Sequence, residues 1–108
     1  MSTQLRRAEE QIERVKRELL ALGPMRSGSI TRQYRLPKTK ARPFYQISYT
    51  HHMQGRSEYV RPEDLAALRK ETATFKRFKK LVNRWVGLAL IASQLRVRQA
   101  GTLPRQTS

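Results

Sequence analysis

The sequence predicts an α+β chain: an N-terminal amphipathic helix, a three-stranded antiparallel sheet and a long, basic C-terminal helix. Three observations predict it. Apolar residues over 2–22 recur at alternating steps of three and four. Over 24–60, β-branched and aromatic residues alternate with polar ones. From Leu65 onward the steps of three, four and seven return. The three segments make one domain over 1–98, and the Gly, Pro, Thr and Ser of 99–108 predict a disordered tail.

The first helix is written by Leu5, Ala8, Ile12, Val15, Leu19 and Leu22, a heptad seam. Ser2 or Thr3 can cap its start, and Gly23-Pro24 ends it. Its seam is under three heptads long, too short to hold a helix in water alone. It therefore needs the long helix, a second copy or another protein to pack on.

In the middle segment, strands are expected over 29–36, 44–50 and 56–60. Tyr45, Ile47 and Tyr49 project to one face and Gln46 and Ser48 to the other. The link 37–43 is bracketed by Pro37 and Pro43 and reads as an exposed basic loop. The link 51–55 ends in Gly55, as a hairpin connection does.

The long helix is expected over 62–98. Pro62 suits its first turn, and Glu63 and Asp64 suit the end where the dipole favours negative charge. One apolar face runs Leu65, Leu68, Thr72, Phe75, Val82, Val86 and Ala89. An adjacent stripe runs Phe78, Leu81, Trp85, Leu88 and Ile91. The opposite face carries Arg69, Lys76, Lys80 and Arg84, flanked by Arg77, and no acid follows Glu71. More apolar surface lies beyond Phe78 than one short helix and a small sheet cover, which predicts a homodimer or a protein partner.

Charge narrows the function. Lys and Arg total 23 against 8 Asp and Glu, a formal charge of +15 with a pI near 11.4. A compact chain so charged repels itself, and a polyanion relieves the repulsion. The chain lacks Cys, so disulfides and thiolate metal sites are excluded. The longest apolar run, 86–92, is far short of the roughly 20 residues that cross a bilayer. A charged N-terminus without an apolar core predicts a cytoplasmic, nucleoid-associated protein.

The candidate contacts are cations. Residues 19–57 hold no acid, yet they hold Arg26, Arg32, Arg35, Lys38, Lys40, Arg42 and, next to Glu58, Arg56. Arg32, Arg35, Lys38, Lys40, Arg42 and Arg56 are expected to form one phosphate-contacting surface. Arg69, Lys76, Arg77, Lys80 and Arg84 form a second. Tyr34, Phe44 and Tyr45 are candidates for stacking on bases, although in-phase aromatics on a half-buried strand also pack as core. Gly23 to Ser29 lacks the Gly-Lys-Ser/Thr ending of a phosphate loop and reads as a turn. His51 and His52 are adjacent, so they project apart and suit no shared metal. Glu63 and Asp64 are explained by the helix start. No metal, cofactor or catalytic set is expected, and the chain reads as a non-enzyme.

The residues Leu20-Ala21-Leu22-Gly23-Pro24-Met25-Arg26, Gly28-Ser29-Ile30 and Gln33-Tyr34 carry a resemblance. So do Pro43-Phe44-Tyr45-Gln46-Ile47-Ser48-Tyr49, Tyr59-Val60 and the spacing of Phe75, Arg77-Phe78 and Trp85. Together they resemble an uncharacterised family of small basic bacterial and archaeal proteins, a domain of unknown function often found near transposase genes. The family's Cys-rich loop, similar to a zinc knuckle, is replaced here by 36–42, which contains no Cys. The resemblance implies mobile-element biology without a metal. The expected function is DNA binding through phosphate contacts, with DNA favoured over RNA. The alternative is an adaptor that dimerises or docks a partner through the heptad helix and the apolar end of the long helix.

Overall fold

The computed structural model describes residues 3–101. The elements come in the expected order: α1 (Thr3–Leu20), β1 (Ser29–Leu36), β2 (Ala41–His51), β3 (Gln54–Val60), a single 3-10 turn (Pro62–Asp64) and α2 (Leu65–Gly101). The class is α+β. Ser2 of the expected first helix and 102–108 of the expected tail lie outside the described residues, whereas Gln99 to Gly101 extend α2. The expected single domain divides into two compact units. One is helical, Met1–Leu22 with Phe78–Ser108, and the other, Gly23–Arg77, contains the sheet.

In the helical unit α1 lies antiparallel to the later part of α2. Arg96 Nη1 is 3.5 Å from Glu9 Oε1, and Lys16 Nζ is 5.4 Å from the centre of the Trp85 ring. Between the helices Leu5, Ala8, Ala92 and Leu95 are buried, with Ile12 packed against them. Val15 and Leu81 are buried as well. On α2 the seam is Leu81, Trp85, Leu88, Ala92 and Leu95, alternating steps of four and three. Val86 and Ile91, placed by sequence on buried stripes, are instead exposed by 63% and 49%. One partner helix covers one stripe, and at about 100° per residue Val86 already points away from Trp85.

In the sheet unit the strand order is β1-β2-β3, antiparallel throughout. Tyr45 pairs with Val60 and Ile30 with Ile47, so these side chains share a face. That face meets the start of α2: Ile47 and Val60 are buried, Arg69 lies 5.5 Å over the Tyr45 ring, and the Arg26 amide donates to the Glu71 carbonyl at 3.1 Å. Thr72, buried here, donates its hydroxyl to the Arg69 carbonyl at 3.1 Å, so its polar atom is satisfied.

Both hairpin links are shorter than expected. His51 pairs with Gln54, which leaves a two-residue turn, His52-Met53, with both residues at positive φ (50° and 64°), as a type I′ turn requires. Gly55, expected to end the link, belongs to β3. The basic loop contracts to Pro37, Lys38, Thr39 and Lys40. It is closed by the Thr39 amide to the Leu36 carbonyl at 3.2 Å and the Lys40 amide to the Pro37 carbonyl at 3.4 Å.

Candidate nucleic-acid interface

Pleating sorts the candidate residues. Tyr45 faces α2, so Gln46 and its cross-strand partners Thr31 and Tyr59 face away. Phe44 with Gln33, and Ser48 with Ser57, share that outer face; the two serine hydroxyls are 3.0 Å apart. That face is open on the outer strands, where Gln33, Arg35 and Tyr59 are exposed; on the central strand Gln46 and Ser48 are half-buried, as is Phe44 beneath Arg35, whose guanidinium sits 4.9 Å from the ring centre.

The six cations expected on one strand-and-loop surface are therefore not together. Arg32 lies 5.4 Å over Tyr34 and shares the α2-side face with Tyr45, its cross-strand partner. Arg56 pairs with Tyr49, donates to Gln54 Oε1 at 3.2 Å, and lies toward the β2–β3 turn. Arg35, Lys38, Lys40 and Arg42 gather at the other end, around the β1–β2 hairpin. Along a strand rising about 3.3 Å per residue, Arg56 is roughly 25 Å from that hairpin. Alternation and strand length together divide the set. Lys40 in the turn and Arg42, the second residue of β2, hold positive φ (54° and 55°).

Of the stacking candidates only Phe44 is on the open face. Tyr34 and Tyr45 are half-buried on the other, under Arg32 and Arg69. Tyr59, exposed by 56%, is on the open face and was not a candidate. The signal that finds it is the β2–β3 register, which the sequence did not fix.

Arg26 is held by the protein's own carboxylate. Its Nη2 is 2.7 Å from Glu58 Oε2, and the Tyr49 hydroxyl donates to Glu58 Oε1 at 2.6 Å. The hydrogen bonds from Tyr49 and Arg26 hold the Glu58 carboxyl below its usual range, and the bond to Glu58 raises both the Tyr49 phenol and the Arg26 guanidinium. Arg26, a candidate contact by sequence, is thus already paired with the protein's own carboxylate. Arg61 is likewise held, by Asp64 at 2.7 Å and Glu63 at 3.6 Å. By contrast, Lys38, Lys40, Arg42, Lys76, Lys80 and Arg84 are exposed and form no ion pair among the described residues. Arg69, Lys76 and Arg77 belong to the sheet unit, Lys80 and Arg84 to the helical unit.

His51 and His52, expected to project apart, instead bring their ring centres within 4.0 Å, the planes tilted by 60°, because the tight turn folds His52 back toward its neighbour. No group of three or more His, Cys, Asp or Glu side chains converges among the described residues, and no described helix is long and apolar enough to cross a membrane. No protein-family model, curated protein or solved structure matches the chain.

Proposed function

We propose that the chain is a non-enzymatic nucleic-acid-binding protein that holds DNA through phosphate contacts, as an accessory factor in a nucleoprotein complex. One observation carries the reading: Lys38, Lys40 and Arg42 crowd one hairpin with no carboxylate to pair them. The charge total supports it, since eight acids cannot neutralise 23 cations. The service of a mobile element, taken from the resemblance in sequence, is part of the same proposal and is checked by its genomic neighbours.

The test is duplex-DNA binding by fluorescence anisotropy over a range of salt. Each phosphate contact adds about −0.9 to the slope of log K against log salt. The triple variant Lys38→Gln, Lys40→Gln, Arg42→Gln is expected to reduce the slope magnitude by about 2 to 3. An unchanged slope removes the hairpin from the interface.

A second reading, the adaptor, is favoured by a separate feature of the helical unit. Val86, Leu90 and Val97 are exposed by 63%, 58% and 68%. Their spacings of four and seven put them on one stripe of α2, turned away from the seam that α1 covers. In this reading a second copy packs on that stripe.

A further inference from the structure

The open face of the sheet carries an arrangement that phosphate contacts do not need. Tyr59 on β3 is opposite Gln46. Phe44 is two residues along on β2, opposite Gln33. Arg35 is two residues along again on β1. The three form a diagonal, each step crossing one strand and advancing two residues, or about 8 Å. The diagonal runs toward the hairpin of Lys38 and Lys40. Each ring has a glutamine amide beside it on the neighbouring strand.

We infer that this face is a stacking platform for single-stranded DNA. The inference rests on the nucleic-acid reading above and names the form of its ligand. A base stacks on the exposed Tyr59 ring. The next stacks on the flat guanidinium of Arg35, which already covers Phe44 at 4.9 Å; aromatic rings and guanidinium planes both serve this purpose. Steps of about 8 Å exceed the 3.4 Å between bases stacked on one another, so the strand must be splayed, as only an unpaired strand can be. Gln46 and Gln33 offer donors and acceptors to base edges that a duplex hides. Lys38 and Lys40 take the phosphates where the strand leaves the sheet.

The experiment is binding of the full chain to a 12-nucleotide oligo-dT and to a duplex of equal length at about 50 mM salt. Tyr59→Ala is expected to weaken oligo-dT binding roughly 5- to 150-fold, the range for loss of one base–aromatic stack, with duplex binding changed less than about twofold. Tyr59→Phe keeps the ring and is expected to stay within about twofold of the parent on both. A circular-dichroism melt confirms that each variant folds, which the exposure of Tyr59 favours. If Tyr59→Ala binds oligo-dT as the parent does, or weakens both ligands alike, the platform is refuted. If that happens while the hairpin variant still loses salt slope on duplex DNA, the phosphate reading survives alone. An oligo-rU bound at least tenfold tighter than oligo-dT overturns the choice of DNA. If neither DNA binds, both proposals fall.

Discussion

Gly28 gives the sharpest test of the sheet unit. It has φ +138°, a conformation that L side chains rarely adopt, and a Cβ built there would lie 3.0 Å from Ile47 Cγ1, 3.0 Å from the Ser48 carbonyl oxygen and 3.2 Å from Ile47 Cδ1. The Ser48 oxygen is backbone in the central strand and cannot step aside. Ile47 is 1% exposed and has no space to retreat into. Gly28→Ala therefore carries two penalties: about 1–3 kcal/mol for the backbone and about 1–3 kcal/mol for overpacking. Their sum, about 2–6 kcal/mol, is a large part of the roughly 5–15 kcal/mol that holds a small protein folded. Gly23→Ala is the control, with nothing within 4 Å of its Cβ, and is expected to be neutral or up to about 1 kcal/mol more stable.

The assay is urea unfolding with two probes. All four tyrosines lie in the sheet unit and the single tryptophan, Trp85, in the helical unit. Near-ultraviolet tyrosine dichroism and tryptophan fluorescence therefore follow the units separately. The tyrosine transition should move to lower urea in Gly28→Ala by the amount above. A loss below about 1 kcal/mol with an unchanged m-value would refute both the packing at Gly28 and the assigned orientation of Ile47.

Two further outcomes are expected. The Glu58 carboxyl is held below its usual range when folded, so its contribution is present above the unfolded pKa and is lost as pH falls through the folded one. Glu58→Gln should thus flatten the loss of melting temperature below about pH 4.5; parallel acid profiles would mean that the Arg26–Glu58–Tyr49 cluster adds no stability. For the adaptor reading, Leu90→Glu should turn a dimer into a monomer in light scattering. A parent protein that is already monomeric at about 100 μM would end that reading.

Periodicity made the fold legible because each element buries one face. The heptad steps of Leu5, Ala8, Ile12 and Val15 and the alternation of Tyr45, Ile47 and Tyr49 each declare a period before any partner is known. What they cannot declare is the partner. Two apolar stripes of α2 compete on paper, and only the position of α1 decides for Leu81 over Val86 and adds Ala92, which neither stripe contained. The two-residue turn at His52-Met53 escaped because it lacks the Asn-Gly or Asp-Gly that marks such turns and Met53 does not favour positive φ, so strand pairing imposes it. The candidate interface was legible in composition and not in grouping. Arg26 and Glu58 are 32 positions apart, and no local pattern marks them as partners. Tyr59 is one residue from a buried valine, and without the register either could face outward.

The sheet's two ends differ in a way that bears on where an anion goes. Toward the β2–β3 end, Glu58 holds Arg26 at 2.7 Å and takes the Tyr49 hydroxyl at 2.6 Å, so a phosphate there would have to displace a carboxylate already in place. At the β1–β2 end, Lys38, Lys40 and Arg42 repel one another with no carboxylate in the sequence from 19 to 57 to relieve them. A phosphate bound at that end loses no protein contact and removes a repulsion that folding leaves standing. The same cations can be solvated at rest, so the fold tolerates them unbound; screening by about 0.15 M salt reduces the repulsion beyond roughly 8 Å but not between neighbours on one tight turn. This asymmetry, more than the total of +15, is why the β1–β2 hairpin, rather than the Arg26–Glu58–Tyr49 cluster on the α2-side face, is where the proposed DNA contact is to be tested.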